Sequence, residues 1–130
     1  MDEHEEKMID AFIVKEKRDR YKSLLSNSKK RNATLDCLNH FHDLDEKYVT
    51  WLPSNAVVEH ILRQEGSPEN VYVISNTKDI DGKLIPLDEA VYKTALGGWG
   101  TIISCIPGQL AYYYDEVGVR RAILKRKLNV

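Results

Sequence analysis

A 21-residue stretch without a charged side chain, residues 94–114, constrains the fold more than any other feature of the sequence. Its length is about what a helix needs to cross a bilayer, roughly 20 residues. Four glycines and a proline interrupt it, at Gly97, Gly98, Gly100 and Pro107-Gly108. Glycine and proline are the least favourable residues inside a helix. We therefore predict a buried β-hairpin with its turn at Pro107-Gly108, and no membrane span.

The chain holds enough apolar residues for a core. Ile, Leu, Val and Phe account for 35 of the 130 residues, above the roughly 20% below which disorder is typical. We expect residues 1–130 to form a single domain that folds without a metal or a disulfide. The strongly acidic residues 1–6 are expected to be a flexible tail.

Apolar residues spaced three and four apart predict helices in the first half of the chain. Over residues 7–27 this spacing fits one long helix, or two short helices with a break near Val14. A second helix carries Leu35 and Leu38. A third is expected to begin at an N-cap on Ser54 and to end at Gly66.

Strand patterns dominate the second half. They cover residues 48–52, 71–75, 101–106, 109–114 and 119–124. Asp81-Gly82 is a hairpin signal between Ile80 and Leu84, and a helix is predicted from Leu87 to Leu96. The basic end of the last strand favours an edge position for it. The fold class predicted is α+β, with N-terminal helices packed against one face of a mostly antiparallel sheet formed chiefly by the C-terminal half.

The balance of charges limits the choice of partners. With 19 basic and 20 acidic residues the net charge is −1, so the whole molecule lacks the field of a general nucleic-acid binder. Two segments are locally basic, residues 15–31 and 120–127, and either they meet phosphates or they form solvated surface. The aromatic residues Trp99 and Tyr112 to Tyr114 either stack on bases or fill the core.

Two cysteines, Cys37 and Cys105, lie far apart in the sequence. The first residues, MDEHEEK, are acidic where a secretory signal would be basic and then apolar. We therefore expect reduced thiols in a cytoplasmic protein.

The densest group of potential metal ligands is His40, His42, Asp43 and Asp45. Two histidines two residues apart point the same way on an extended backbone, but at a predicted helix end they diverge. Histidine is also favourable at a helix C-terminus without any metal. The pattern leaves metal binding open, and we predict neither a metal site nor a cofactor.

A nucleophilic role for Cys105 would require a histidine beside it, and His60 is the available one. A free cysteine is more often a buried core residue. No catalytic residues are therefore assigned, and the sequence favours a protein without enzymatic activity while leaving an enzyme as an alternative.

The function expected from the sequence is a small cytoplasmic binding or regulatory module that acts through protein contacts or self-association. The candidate binding residues are Trp99, Cys105, Tyr112 and Tyr114, if they line a pocket. One alternative is a nucleic-acid-binding protein that uses segments 15–31 and 120–127. A second is a small enzyme that uses Cys105 or the His40/His42 cluster.

Overall fold

The computed structural model describes residues 2–37, 41–97, 100–115 and 120–126. Three helices come first, α1 (Glu3–Phe12), α2 (Arg18–Leu25) and α3 (Arg31–Cys37). The chain breaks after α1 and enters α2 through a 3-10 turn, Lys15–Lys17. Of the two alternatives, the structure has two short helices with a break near Val14. Ile13 there bridges to Leu44 as in a short antiparallel pair, so the backbone leaves the helix to join a neighbouring segment.

Within the described residues, six strands form one sheet in which every pair is antiparallel. The strands are β1 (Val49–Trp51), β2 (Asn70–Ile74), β3 (Leu84–Pro86), β4 (Thr101–Ile106), β5 (Leu110–Tyr114) and β6 (Arg121–Lys125). Their order across the sheet is β1-β6-β5-β4-β2-β3. Helix α4 (Val58–Gln64) connects β1 to β2, and α5 (Leu87–Ala95) connects β3 to β4. The α+β class, with a sheet drawn mostly from the C-terminal half, is confirmed.

The uncharged stretch forms the end of α5 and then the hairpin of β4 and β5. Ile102 lies opposite Tyr113, and the chain turns at Pro107-Gly108. Gly108 has a φ of +69°, and a Cβ there would lie 3.3 Å from the Cβ of Lys7. A glycine is needed both for this backbone conformation and for the close approach of α1. No helix in the described part of the chain is long and apolar enough to cross a membrane.

The sheet is apolar on both faces. Tyr113 lies in one core, while Tyr112 and Tyr114 lie in the other, as the alternation of a strand requires. The core of Tyr113 is completed by α1, α2 and α3, and the opposite core by α4 and α5. The expectation that the N-terminal helices share one face is therefore right for α1 to α3, while α4 lies on the opposite face together with α5. Strands buried on both faces need cover on both.

Three local expectations are corrected. Strand β6 is not at the edge, because it pairs with β1 on one side and β5 on the other. Helix α4 begins at Val58 without a side-chain cap, because Ser54 lies within a turn closed by the Ala56 amide and the Pro53 carbonyl, 3.1 Å apart. Ile80 lies in no strand, since residues 75–83 form the connection between β2 and β3.

The expectation that residues 1–6 form a flexible tail is also corrected. Residues 3–6 belong to α1, and Asp2 caps this helix by accepting a hydrogen bond from the His4 amide at 2.7 Å. Glu5 is only 5% exposed. Its carboxylate accepts two hydrogen bonds from Arg31, at 2.6 and 3.1 Å, and one from the Tyr72 hydroxyl at 2.5 Å. A buried carboxylate with these partners holds the helix against the sheet.

Arg31 binds a second carboxylate, that of Asp81. Its Nε and Nη2 atoms donate to Asp81 at 2.7 and 2.9 Å. One oxygen of Asp81 also accepts from the Ser75 amide at 2.9 Å. The guanidinium therefore joins α1, α3 and the β2–β3 connection. These hydrogen bonds, that to Asp81 first, raise the pKa of Arg31, so the group stays charged.

We expect Arg31→Met to lower the free energy of unfolding by about 3 kcal/mol or more, because it leaves two carboxylates without their shared cation. Urea denaturation followed by circular dichroism measures the loss. Lys93→Met is the control: it breaks an exposed pair with Glu89 on α5, for which about 0.5 kcal/mol or less is expected. Equal effects of the two substitutions would contradict the structural role of Arg31.

His4 is expected to make the stability of the protein depend on pH. Its ring stacks on Tyr72 with centroids 5.2 Å apart, and its Nδ1 lies 2.8 Å from the Ser104 hydroxyl. Partial burial lowers the pKa of His4 below its ordinary value, so the folded state favours the neutral ring. The contribution of His4 to stability is therefore complete above the ordinary pKa of about 6.5 and is lost as the pH falls from there through the lower pKa of the folded state.

Thermal melts between pH 7.5 and pH 5 should accordingly show a smaller loss of stability in His4→Gln than in the unchanged protein. The other histidines are common to both proteins and cancel in the comparison. Parallel losses in the two proteins would show that His4 does not contribute.

Candidate functional site

Three of the four predicted binding residues lie together in a core. Cys105 on β4 and Tyr112 and Tyr114 on β5 belong to the core covered by α4 and α5, and all three are buried. The rings of Tyr112 and Tyr114 meet edge to face, 6.4 Å apart. Trp99 lies outside the described residues. The binding role of this group stays a prediction, and in this structure its described members pack against other core side chains.

Cys105 is a free thiol. Burial raises the pKa of the Cys105 thiol to about 11. Hydrogen bonding with Ser67 lowers the pKa, but its effect is smaller than that of burial. His60 is exposed on α4. The thiol is therefore almost entirely protonated at neutral pH, which disfavours nucleophilic attack.

The candidate metal ligands are only partly described, because His40 lies outside the described residues. Asp43 is bound by Lys17 and Tyr21. Asp45 caps the next 3-10 turn by accepting from the Lys47 amide at 3.2 Å. Among the residues that the structure describes, no three His, Cys, Asp or Glu side chains come together as metal ligands would.

The described residues of the second basic segment are engaged within the chain. Arg121 donates to the carbonyls of Pro53 and Ser54 at 2.9 and 3.0 Å. Lys125 pairs with Glu65. The remaining two arginines lie over aromatic rings, Arg120 over Trp51 and Arg126 over Tyr48. These cations serve the packing of β6 and its neighbours.

The first basic segment, in contrast, lines a cleft between α2 and α3. The cleft has a volume of about 330 Å³. Eight residues line it: Lys17, Arg20, Tyr21, Leu24, Lys30, Ala33, Thr34 and Asp43. Positions 17, 20, 21 and 24 follow the three- and four-residue spacing of one helix face, so α2 and the turn before it supply one wall.

A tight turn between α2 and α3 positions the opposite wall, which Lys30, Ala33 and Thr34 supply. The amides of Lys30 and Arg31 both donate to the Asn27 carbonyl, at 3.0 and 2.9 Å. The Asn27 side chain accepts from the Lys29 amide at 2.9 Å. Arg31 also donates to the Leu25 carbonyl at the end of α2, at 3.1 Å. The Arg31 guanidinium that binds Glu5 on α1 therefore also stabilises the turn between α2 and α3.

The cleft combines positive charge with apolar surface. Arg20 and Lys30 are exposed, and the Lys17 side chain is 43% exposed. Leu24 and Ala33 supply apolar lining. With three cations and one carboxylate, the lining carries a net charge of about +2 at neutral pH. Such an arrangement can bind an anionic group that is attached to an apolar body.

Two smaller cavities offer less charge imbalance. One, of about 250 Å³, is lined by Glu65, Lys125 and Arg126, of which Glu65 and Lys125 pair with each other. The other, of about 260 Å³, is lined by Lys7, Asp10 and Arg126, and the first two pair with Glu3 and Lys22. Each lining therefore carries a net charge of about +1 at neutral pH, against about +2 in the α2–α3 cleft. The α2–α3 cleft therefore remains the candidate site.

The sequence indicated the basic segment but missed the cleft itself. In the sequence Asp43 stands beside two histidines and suggests a metal ligand, whereas in the structure it lines the cleft and pairs with Lys17. The available signal was the helical spacing of positions 17, 20, 21 and 24, which places two cations and two hydrophobic bodies on one face.

The Cys105 thiol is expected to be unreactive in the folded protein. In a Cys37→Ser background, a thiol reagent at pH 7 should label native Cys105 slowly, because the thiol is buried and its pKa is raised to about 11. Mass spectrometry measures the rate of labelling, which should increase strongly in denaturant. Rapid native labelling that slows in His60→Ala would instead reveal an activated thiolate.

In comparisons with known proteins, no family model, no curated protein and no solved structure matches this chain.

Proposed function

We propose that this protein is a cytoplasmic binding module that docks an acidic segment of a partner protein in the α2–α3 cleft. One observation carries the proposal: Lys17, Arg20 and Lys30 line a single cavity together with the apolar side chains of Leu24 and Ala33. The cytoplasmic location is supported by the free, buried thiol of Cys105.

An acidic peptide suits the chemistry of this cleft. Its carboxylates can form charge-assisted hydrogen bonds with the lysine and arginine side chains. The stems of those side chains and the apolar lining can contact the aliphatic part of the peptide. At about 330 Å³, the cavity has the volume for a few side chains, near the lower end of the range for ligand pockets.

Nucleic-acid binding is less well supported, for three reasons. Binding along a nucleic-acid backbone needs a continuous basic surface, and the described cations of residues 120–126 contact carbonyls, a carboxylate and aromatic rings of this chain. Stacking on bases needs accessible rings, and Tyr112, Tyr113 and Tyr114 are buried. The net charge of −1 provides no general attraction.

Fluorescence anisotropy with a fluorescein-labelled hexaglutamate peptide tests the proposal. We expect saturable binding that weakens with salt and that falls about ten-fold or more in the double variant Arg20→Glu, Lys30→Glu, since two attractive contacts become repulsive. The matched control is Lys78→Glu, Lys93→Glu, which changes the net charge equally outside the cleft. Its affinity should change by about two-fold or less.

Two outcomes would overturn the proposal. One is the absence of peptide binding at low salt. The other is tighter binding of a labelled 12-nucleotide single strand or duplex that is lost in the same Arg20, Lys30 variant, which would establish the nucleic-acid alternative.

A further inference from the structure

The cleft already holds a carboxylate, that of Asp43. Lys17 pairs with one of its oxygens, and the Tyr21 hydroxyl donates to the other. The Asp43 side chain is only 13% exposed. Two of the groups in the cleft that can donate to an anion are therefore occupied by an anion of the chain itself.

The other two cations of the cleft are placed differently. Among the described residues, neither Arg20 nor Lys30 forms an ion pair with a carboxylate. Both side chains are exposed. The cleft thus has an open half, with Arg20 and Lys30, and a half that Asp43 fills.

We propose that Asp43 is an internal competitor, and that its carboxylate marks the subsite for one carboxylate of an acidic protein ligand. This inference rests on the proposed function. An incoming carboxylate first meets Arg20 and Lys30, and then exchanges with Asp43 for Lys17 and Tyr21. Until the exchange, Asp43 repels the ligand and withholds two donors from it.

The backbone around Asp43 permits this exchange. The 3-10 turn Phe41–Asp43 is held through main-chain groups: the Asp43 carbonyl accepts from the Val14 amide at 2.9 Å, and the Asp45 amide donates to the Phe12 carbonyl at 2.7 Å. Neither bond uses the Asp43 carboxylate. Rotation of the side chain can therefore free Lys17 and Tyr21 while the turn stays in place.

The direct test is Asp43→Asn, which keeps the shape of the side chain and removes its charge. With the labelled hexaglutamate peptide we expect about ten-fold tighter binding than in the unchanged protein. Asp19→Asn is the matched control, because it removes one negative charge from an exposed position on α2 outside the cleft lining. It should change the affinity by about two-fold or less. Urea denaturation checks that each variant is folded.

A double-mutant cycle identifies the donor involved. Because Lys17 is one of the two donors that Asp43 withholds, the gain from Asp43→Asn should be smaller when Lys17→Met is already present, and the part that remains measures the release of Tyr21 and the loss of repulsion. Asp43→Ser, which is also neutral, should reproduce the gain of Asp43→Asn and provides the test if the asparagine variant does not fold.

The outcomes separate the two proposals. Unchanged or weaker binding in Asp43→Asn, with binding still lost in the Arg20, Lys30 variant, would overturn the competitor role and leave the proposed function standing. Equal gains in Asp43→Asn and Asp19→Asn would also overturn it, since general charge would then explain both. If no variant binds the peptide at low salt, both proposals are wrong.

Discussion

The rest of the structure depends on one largely buried cation, Arg31, whose side chain is 17% exposed and is held between the carboxylates of Glu5 and Asp81. Burying a charge is costly unless its partners are fixed with good geometry, and here the planar guanidinium makes two hydrogen bonds to each carboxylate. The three charges come from α1, α3 and the β2–β3 connection. None of these segments can move away without leaving a buried charge unpaired, so the interaction selects one arrangement of the helices on the sheet.

The same constraint reaches the candidate site through the corner between α2 and α3. Arg31 begins α3 and donates to the Leu25 carbonyl at the end of α2. Tyr21 adds a second connection, since its body is buried in the core while its hydroxyl binds Asp43 in the cleft. An amphipathic aromatic side chain of this kind fixes the depth at which a helix packs. The cleft walls are therefore positioned by the core and do not depend on a flexible loop.

Local patterns predicted the elements better than their arrangement. The hairpin of residues 101–114 follows from glycines and a proline, which act over a few residues, whereas the spacing over residues 7–27 fits one long helix as well as the two short helices that form. The central position of β6 and the helices on the second face depend on contacts between distant segments. The helical N-terminus is a similar case, because Glu5 is ordered by Arg31 and Tyr72, and nothing in residues 1–6 alone indicates those partners. At the candidate site, the excess of basic residues was visible in the sequence, but the contact of Lys17 with Asp43 was not.

A near-neutral protein can still carry a selective anion site, because screening limits each charge to a range of about 8 Å in physiological salt. The net charge of −1 therefore says little about a cleft whose own lining is positive. An internal carboxylate makes such a site more selective at some cost in affinity. A lone anion gains from Lys17 about what is lost when Asp43 is released, so simple salts gain little by entering. A ligand that also contacts Arg20, Lys30 and the apolar lining has the additional favourable terms that make the exchange proceed.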